Sequence, residues 1–231
     1  MFQVTTMYRA ISLSFAQLGD PAIVRVLLRS LAVTMLIFGV LIAAMIVAAR
    51  WAASVYGWGQ EGGLVAGVIA AIVGIIATWL LFRAIAIPVM NIFADDVVTA
   101  VEAKHYQDAA KTAHRVTLGK GMRLALGSVL RLIGFNLLAL PIYIILIFTA
   151  IGPFILFLIV NALLIGRDLA EMVAARHLGA AEMRIAMRAA RGSHAVMGAV
   201  VTVLLIIPFL NLVAPLLGAA IATHLFHIKE A

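Results

Sequence analysis

Long apolar runs separated by clusters of charge set the organisation of this chain. Asp, Glu, Lys and Arg are absent from Ser30–Ala49, Gly62–Phe82, Leu132–Gly166 and Gly192–Ile228. A helix that crosses a bilayer needs about 20 apolar residues to cover roughly 30 Å of hydrocarbon. The first two stretches, of 20 and 21 residues, each fit one crossing. The other two, of 35 and 37 residues, exceed one span and fall short of the ~40 that two spans and a turn require. Pro141 and the Gly152-Pro153 pair interrupt the third stretch; Pro208 and Pro215 interrupt the fourth around Asn211. Proline removes a backbone donor and clashes with the preceding turn. The pattern therefore predicts two Pro-broken hairpins with arms of about 14–17 residues, too short to cross.

Charge placement tests that topology. With a cytoplasmic N-terminus, Arg9, Arg25 and Arg29 precede the first span and Arg50 follows it. Seven Lys or Arg lie between Arg83 and Arg131, and five Arg between Arg167 and Arg191. Two re-entering hairpins put 16 of the 17 basic residues on one face, as the positive-inside rule asks. A single crossing by 132–166 would put the five Arg outside. Two short full spans satisfy the rule as well as a hairpin does.

Between these stretches the chain looks helical. Residues 1–18 have the spacing of a short interfacial helix. No apolar core of a cleavable signal precedes residue 30, so the expectation is an uncleaved chain. Asp20-Pro21 is a helix start, an N-cap acid before a proline at the first helical position. The expected organisation is a single membrane domain, 1–231, with long transmembrane helices at 21–56 and 62–105 and hairpins at 132–166 and 192–228. The segment Ile87-Pro88-Val89-Met90-Asn91-Ile92-Phe93-Ala94 is echoed by Ile207-Pro208-Phe209-Leu210-Asn211-Leu212-Val213-Ala214, identical at four of eight positions. Asn91 and Asn211 are expected to satisfy carbonyls freed at Pro88 and Pro208, giving two polar bends.

Composition agrees with a bilayer setting. Hydrophobic residues make up 65% of the chain and charged ones 12%, against about half and a quarter in soluble domains. The net charge of +7 is then read as contact with anionic lipid, not nucleic acid. The absence of cysteine excludes disulfides, thiolate metal sites and a cysteine nucleophile.

Candidate chemistry is sparse, and the expectation is neither an enzyme nor a cofactor protein. No zinc-protease, nucleophile-elbow or phosphate-loop motif is present. His224 and His227, three residues apart, are expected to lack an acid partner and read as interfacial histidines, so no metal is expected. Arg184, Arg188 and Arg191 share one helix face with Arg176 close to it, a stripe suited to lipid headgroups. Gly63, Gly67, Ala70 and Gly74, and again Gly218 and Ala222, have small-residue spacing for helix packing; Asn136, Thr149, Asn161 and Thr223 are expected to bond across helices. What remains is the start of the first long helix. Its free N–H groups at Pro21–Ile23, with Arg25 one turn in and Arg29 a turn further, suit an oxyanion. The same arginines would also serve as plain interfacial anchors.

Three segments resemble the CysZ-like sulfate permeases of the etoposide-induced-protein domain superfamily. They are Asp20-Pro21-Ala22-Ile23-Val24-Arg25, Ile87-Pro88-Val89-Met90-Asn91, and the run from Ile207 to Leu216 with the Gly218–Thr223 tail. The resemblance implies an all-α fold with two long transmembrane helices, two partly penetrating hairpins and short amphipathic helices. It implies a homo-oligomer in the bacterial inner membrane, both termini cytoplasmic, taking up sulfate or a similar oxyanion for cysteine synthesis. Some members carry two consecutive Arg where this chain has Val24-Arg25, so only Arg25 inherits that role. Substrate binding is thus assigned to Pro21, Ala22, Ile23, Arg25 and Arg29, and the pore or its bends to Pro88, Asn91, Pro141, Pro153, Pro208 and Asn211. The alternative is a non-transporting scaffold or assembly subunit that meets lipid and partner proteins.

Overall fold

The computed structural model describes residues 2–56, 93–208 and 210–230. The bend at Pro88 and Asn91, and the small-residue stretch from Gly63 to Gly74, lie outside the described residues. All regular structure among the described residues is helical: α1 (Phe2–Ala16), α2 (Pro21–Tyr56), α3 (93–105), α4 (Gln107–Thr112), α5 (Leu118–Leu146), α6 (Gly152–His177), α7 (Ala180–Ala189), α8 (Arg191–Ile206) and α9 (Leu210–Glu230). The chain forms two compact units, one of residues 1–24 with 94–231 and one of residues 25–93.

In the smaller unit, α2 is a long apolar helix in which the Ser30 and Thr34 hydroxyls turn back on their own backbone. Ser30 Oγ donates to the Leu27 carbonyl and Thr34 Oγ1 to the Ser30 carbonyl, which removes the cost of an unpaired hydroxyl in apolar surroundings.

In the larger unit, α9 is the central helix. It packs on α1, α6 and α8, and Ala214, Leu216, Leu217, Ala219, Ala220, Ile221, Ala222 and Leu225 are buried. Among the described residues four helices are long and apolar enough to cross a membrane, α2, α5, α6 and α9, or five if the bent pair α7 and α8 counts as one span. Their surroundings differ sharply, because α9 is sheathed by protein while α5 exposes Leu130, Leu137, Leu138, Ile144 and Ile145. An apolar face of that size on one helix needs lipid or another protein against it.

Helices α5 and α6 form an antiparallel hairpin. Ala139 packs with Val160 and Leu164, Arg131 reaches Asp168, and Lys120 Nζ donates to the carbonyls of Ala175 and Leu178. The turn falls at 147–151, and Pro153 sits in the first turn of α6. Pro141, expected to break the chain, instead lies inside α5. One missing donor kinks a helix, but apolar surroundings give the chain no competing partner and the helix continues. Thr149 builds the tip: its hydroxyl donates to the Leu146 carbonyl and accepts from Gly152 N–H. A Cβ on Gly152 would lie 2.2 Å from that hydroxyl.

The second break falls between α8 and α9, with Pro208 in the turn and Pro215 inside α9. Here the expected side-chain bond is replaced by the main chain. Asn211 N–H donates to the Ile207 carbonyl at 3.0 Å, the Asn211 side chain is exposed, and no partner for it is found among the described residues. The other polar residues at depth differ from expectation in the same way. Asn136, Asn161 and Thr223 bond to carbonyls four residues back on their own helices, and Thr149 bonds to the Leu146 carbonyl within the turn, not across to a neighbouring helix. Such local bonds need no second helix to arrive in register.

Helices α6 and α8 cross with backbone against backbone. A Cβ on Gly166 would stand 1.8 Å from the His194 carbonyl oxygen, and one on Gly198 1.9 Å from that of Ala162. Glycine is required at both places because backbone meets backbone. Gly218 also packs, a Cβ there meeting Leu169 at 2.8 Å.

Candidate functional site

Three places among the described residues of the larger unit bring charged groups together in ways the fold dictates, and the first is the start of α2. Asp20 N–H donates to the Gln17 carbonyl, and Val24 N–H donates to the Asp20 carbonyl. Pro21 has no N–H, so Ala22 and Ile23 carry the donors left for an anion. Pro21 and Ala22 are exposed at this end, while the Ile23 side chain is 5% exposed and belongs to the core. Arg25 and Arg29, further along α2, are both exposed. Sequence reasoning missed the cation that joins the helix start: Lys104 of α3 pairs with the Asp20 carboxylate at 2.5 Å. Its signal would have required knowing that residues 84 positions apart meet.

The second place is a buried polar centre. On α3, the spacing of Ala94, Val97, Val98 and Val101 makes one buried stripe, and Glu102 stands on its edge with 0% exposure. Three groups from two other helices converge on its carboxylate. Arg176 Nη2 donates to Oε2 at 3.1 Å, His177 Nε2 to Oε1 at 2.8 Å, and His227 Nε2 to the same Oε1 at 3.4 Å. An ionised carboxylate only accepts, so both rings present an Nε2–H to it. Aromatic packing fixes the ring planes. Tyr106 stacks on His227 at 4.5 Å between centroids and Phe226 on His177 at 5.4 Å.

Glu102 lies well past the charge-free span that ends at Phe82. Burial alone would raise its pKa, but the bonds from His177 and His227 and the charge of Arg176 outweigh that and hold it at about 2. It is an anion at every physiological pH. Beside it, His224 is bracketed by Gln17 Nε2 at 2.9 Å and the Tyr106 hydroxyl at 2.8 Å. The centre therefore ties the end of α1, α3, α6 and α9 into one network.

This arrangement corrects two expectations. His227 does have an acid beside it, supplied by a helix 125 residues earlier in the chain. Arg176 leaves the arginine stripe and turns inward to Glu102, because an anion at a core position needs a partner. Arg184, Arg188 and Arg191 remain exposed. The readable signal was Glu102 itself, a charge on the apolar stripe of its helix.

A further ionic group sits at the base of the α5–α6 hairpin. Arg131 bridges Asp168 at 2.9 Å and Glu171 at 2.7 Å, Arg167 pairs with Glu171 at 2.7 Å, and the Ser128 hydroxyl donates to Asp168.

No curated protein matches the chain at a significant level. A family model does: the one described as Sulfate transporter CysZ/Etoposide-induced protein 2.4 matches residues 10–215. That range takes in the α2 start, the Glu102 centre apart from its α9 histidines, and both hairpin turns. It is a transporter-type family of multi-helix membrane proteins, and this chain belongs to it.

Proposed function

We propose that the protein is an inner-membrane permease or channel for small oxyanions, with sulfate the expected substrate, serving uptake for cysteine synthesis in a bacterium. One observation carries this reading: a family match over residues 10–215 coincides with a helix start at which no partner for Ala22 or Ile23 N–H is found among the described residues. Backbone N–H groups and the helix dipole favour an oxyanion there, and Arg25 lies one turn along the same helix to add a charge-assisted bond. Lys104, held on Asp20, adds a second cation near the entrance. Catalysis plays no part; the chain binds and passes the ion.

The membrane arrangement follows the charges. The α5–α6 hairpin enters the bilayer tip first and stops at the Arg131–Asp168–Glu171–Arg167 group. Its apolar part, Leu132–Leu146 on α5, is 15 residues long. That is about 22 Å of helix, short of the roughly 30 Å a crossing needs. Both termini then face the cytoplasm, the Arg184–Arg191 stripe faces lipid headgroups, and the apolar face of α5 meets lipid or a second copy of the chain.

The binding part is tested by titrating purified protein with sulfate at fixed ionic strength, since nonspecific attraction is screened by salt. Saturable binding by the parent supports the reading. Its absence favours the scaffold alternative.

A further inference from the structure

From the convergence of Glu102, His177 and His227 on one point, we infer a binding site for a divalent first-row transition ion such as zinc. One ligand atom from each of these residues lies within 4.8 Å of the other two. A tetrahedral zinc with nitrogen and oxygen ligands at about 2.0–2.2 Å holds its ligand atoms about 3.3–3.5 Å apart. The two His-to-Glu separations, 2.8 and 3.4 Å, bracket the lower end of that range. Small side-chain shifts complete the fit.

The surroundings favour a metal over a proton-bridged contact alone. Arg176 occupies Oε2 and leaves Oε1 to face both imidazoles. The rings are already oriented by Phe226 and Tyr106, so little freedom is lost on binding. On binding, each ring moves its proton from Nε2 to Nδ1 and offers the Nε2 lone pair. The charge of Arg176 opposes the ion, but Arg176 is bonded to Oε2 and not to the oxygen that faces the two imidazoles. Two imidazoles and one carboxylate select zinc-like ions over magnesium or calcium, which prefer all-oxygen shells. The ligands come from α3, α6 and α9, so the ion would clamp those helices independently of what the α2 start binds.

The test uses the full chain in detergent, without a histidine tag and after treatment with a chelator. Calorimetric titration with zinc chloride should give one site per chain and raise the melting temperature, while magnesium does neither. His177→Gln and His227→Gln keep an N–H donor for Glu102 and lose the imidazole ligand. Each should weaken zinc binding more than about 100-fold, beyond the 10–100-fold that outer-shell changes cost. His114→Gln, at an exposed histidine outside the cluster, should bind like the parent. X-ray absorption of the zinc-loaded parent should show two imidazole nitrogens and a carboxylate oxygen, a readout that needs no variant to fold. No saturable zinc site in the folded parent, undiminished binding in both variants, or an all-oxygen shell would overturn the inference.

Discussion

Replacing Glu102 with Gln removes the carboxylate on which Arg176, His177 and His227 converge while keeping the side chain's shape. Arg176 then loses its partner at 3.1 Å, and its side chain is only 14% exposed. The amide also turns one of its two faces from acceptor to donor, so it cannot accept from Arg176 on one oxygen and from His177 and His227 on the other. Breaking a buried ion pair by removing one partner costs about 3–5 kcal/mol, because the remaining charge stays uncompensated. Total stability of a folded domain is about 5–15 kcal/mol, so Glu102→Gln should lose a large fraction of it. Thermal unfolding in detergent, followed by circular dichroism, reads the effect. The double variant Glu102→Gln with Arg176→Gln should recover part of the loss, because the orphaned cation is gone. A Glu102→Gln change below about 1 kcal/mol, or a double variant as unstable as the sum of the two single changes, would refute this account.

Other expectations follow from the same contacts. Gly198→Ala forces a methyl to 1.9 Å from the Ala162 carbonyl oxygen and should cost at least the ~1–3 kcal/mol of overpacking, whereas Gly192→Ala, with nothing within 4 Å, should melt like the parent. Asn211→Leu should leave stability nearly unchanged because the bond across the Pro208 turn is made by the backbone; a loss above about 1 kcal/mol would mean its side chain has a partner. Single cysteines at Thr149 and Gln60, introduced into this cysteine-free chain, should differ in cells: an impermeant reagent outside labels the Gln60→Cys variant and spares Thr149→Cys. Equal labelling would make 132–166 a pair of full spans.

The all-helical membrane class was legible because it depends on where charge is absent, and no tertiary contact is needed to see that. The α2 start was legible for the same local reason, an acid followed by proline. Pro141 and Asn211 misled. A proline or asparagine has several ways to satisfy a backbone, and the choice at each position is made by packing. The Glu102 centre was half visible: His224 and His227 could be seen as a pair, but their acid arrives from α3 and their neighbouring cation from α6. Their meeting depends on how α3, α6 and α9 pack together, which spacing along the chain does not encode.

The central claim, oxyanion passage beginning at the α2 start, is tested most directly by sulfate uptake into liposomes holding the purified chain. The parent should carry radiolabelled sulfate at a saturable rate. Arg25→Ala should lower sulfate affinity about ten- to a hundredfold, the loss expected for one charge-assisted bond, while Arg188→Ala, on the exposed stripe, should leave uptake near the parent's. No uptake by well-folded parent protein, or equal loss in the two variants, would contradict the account.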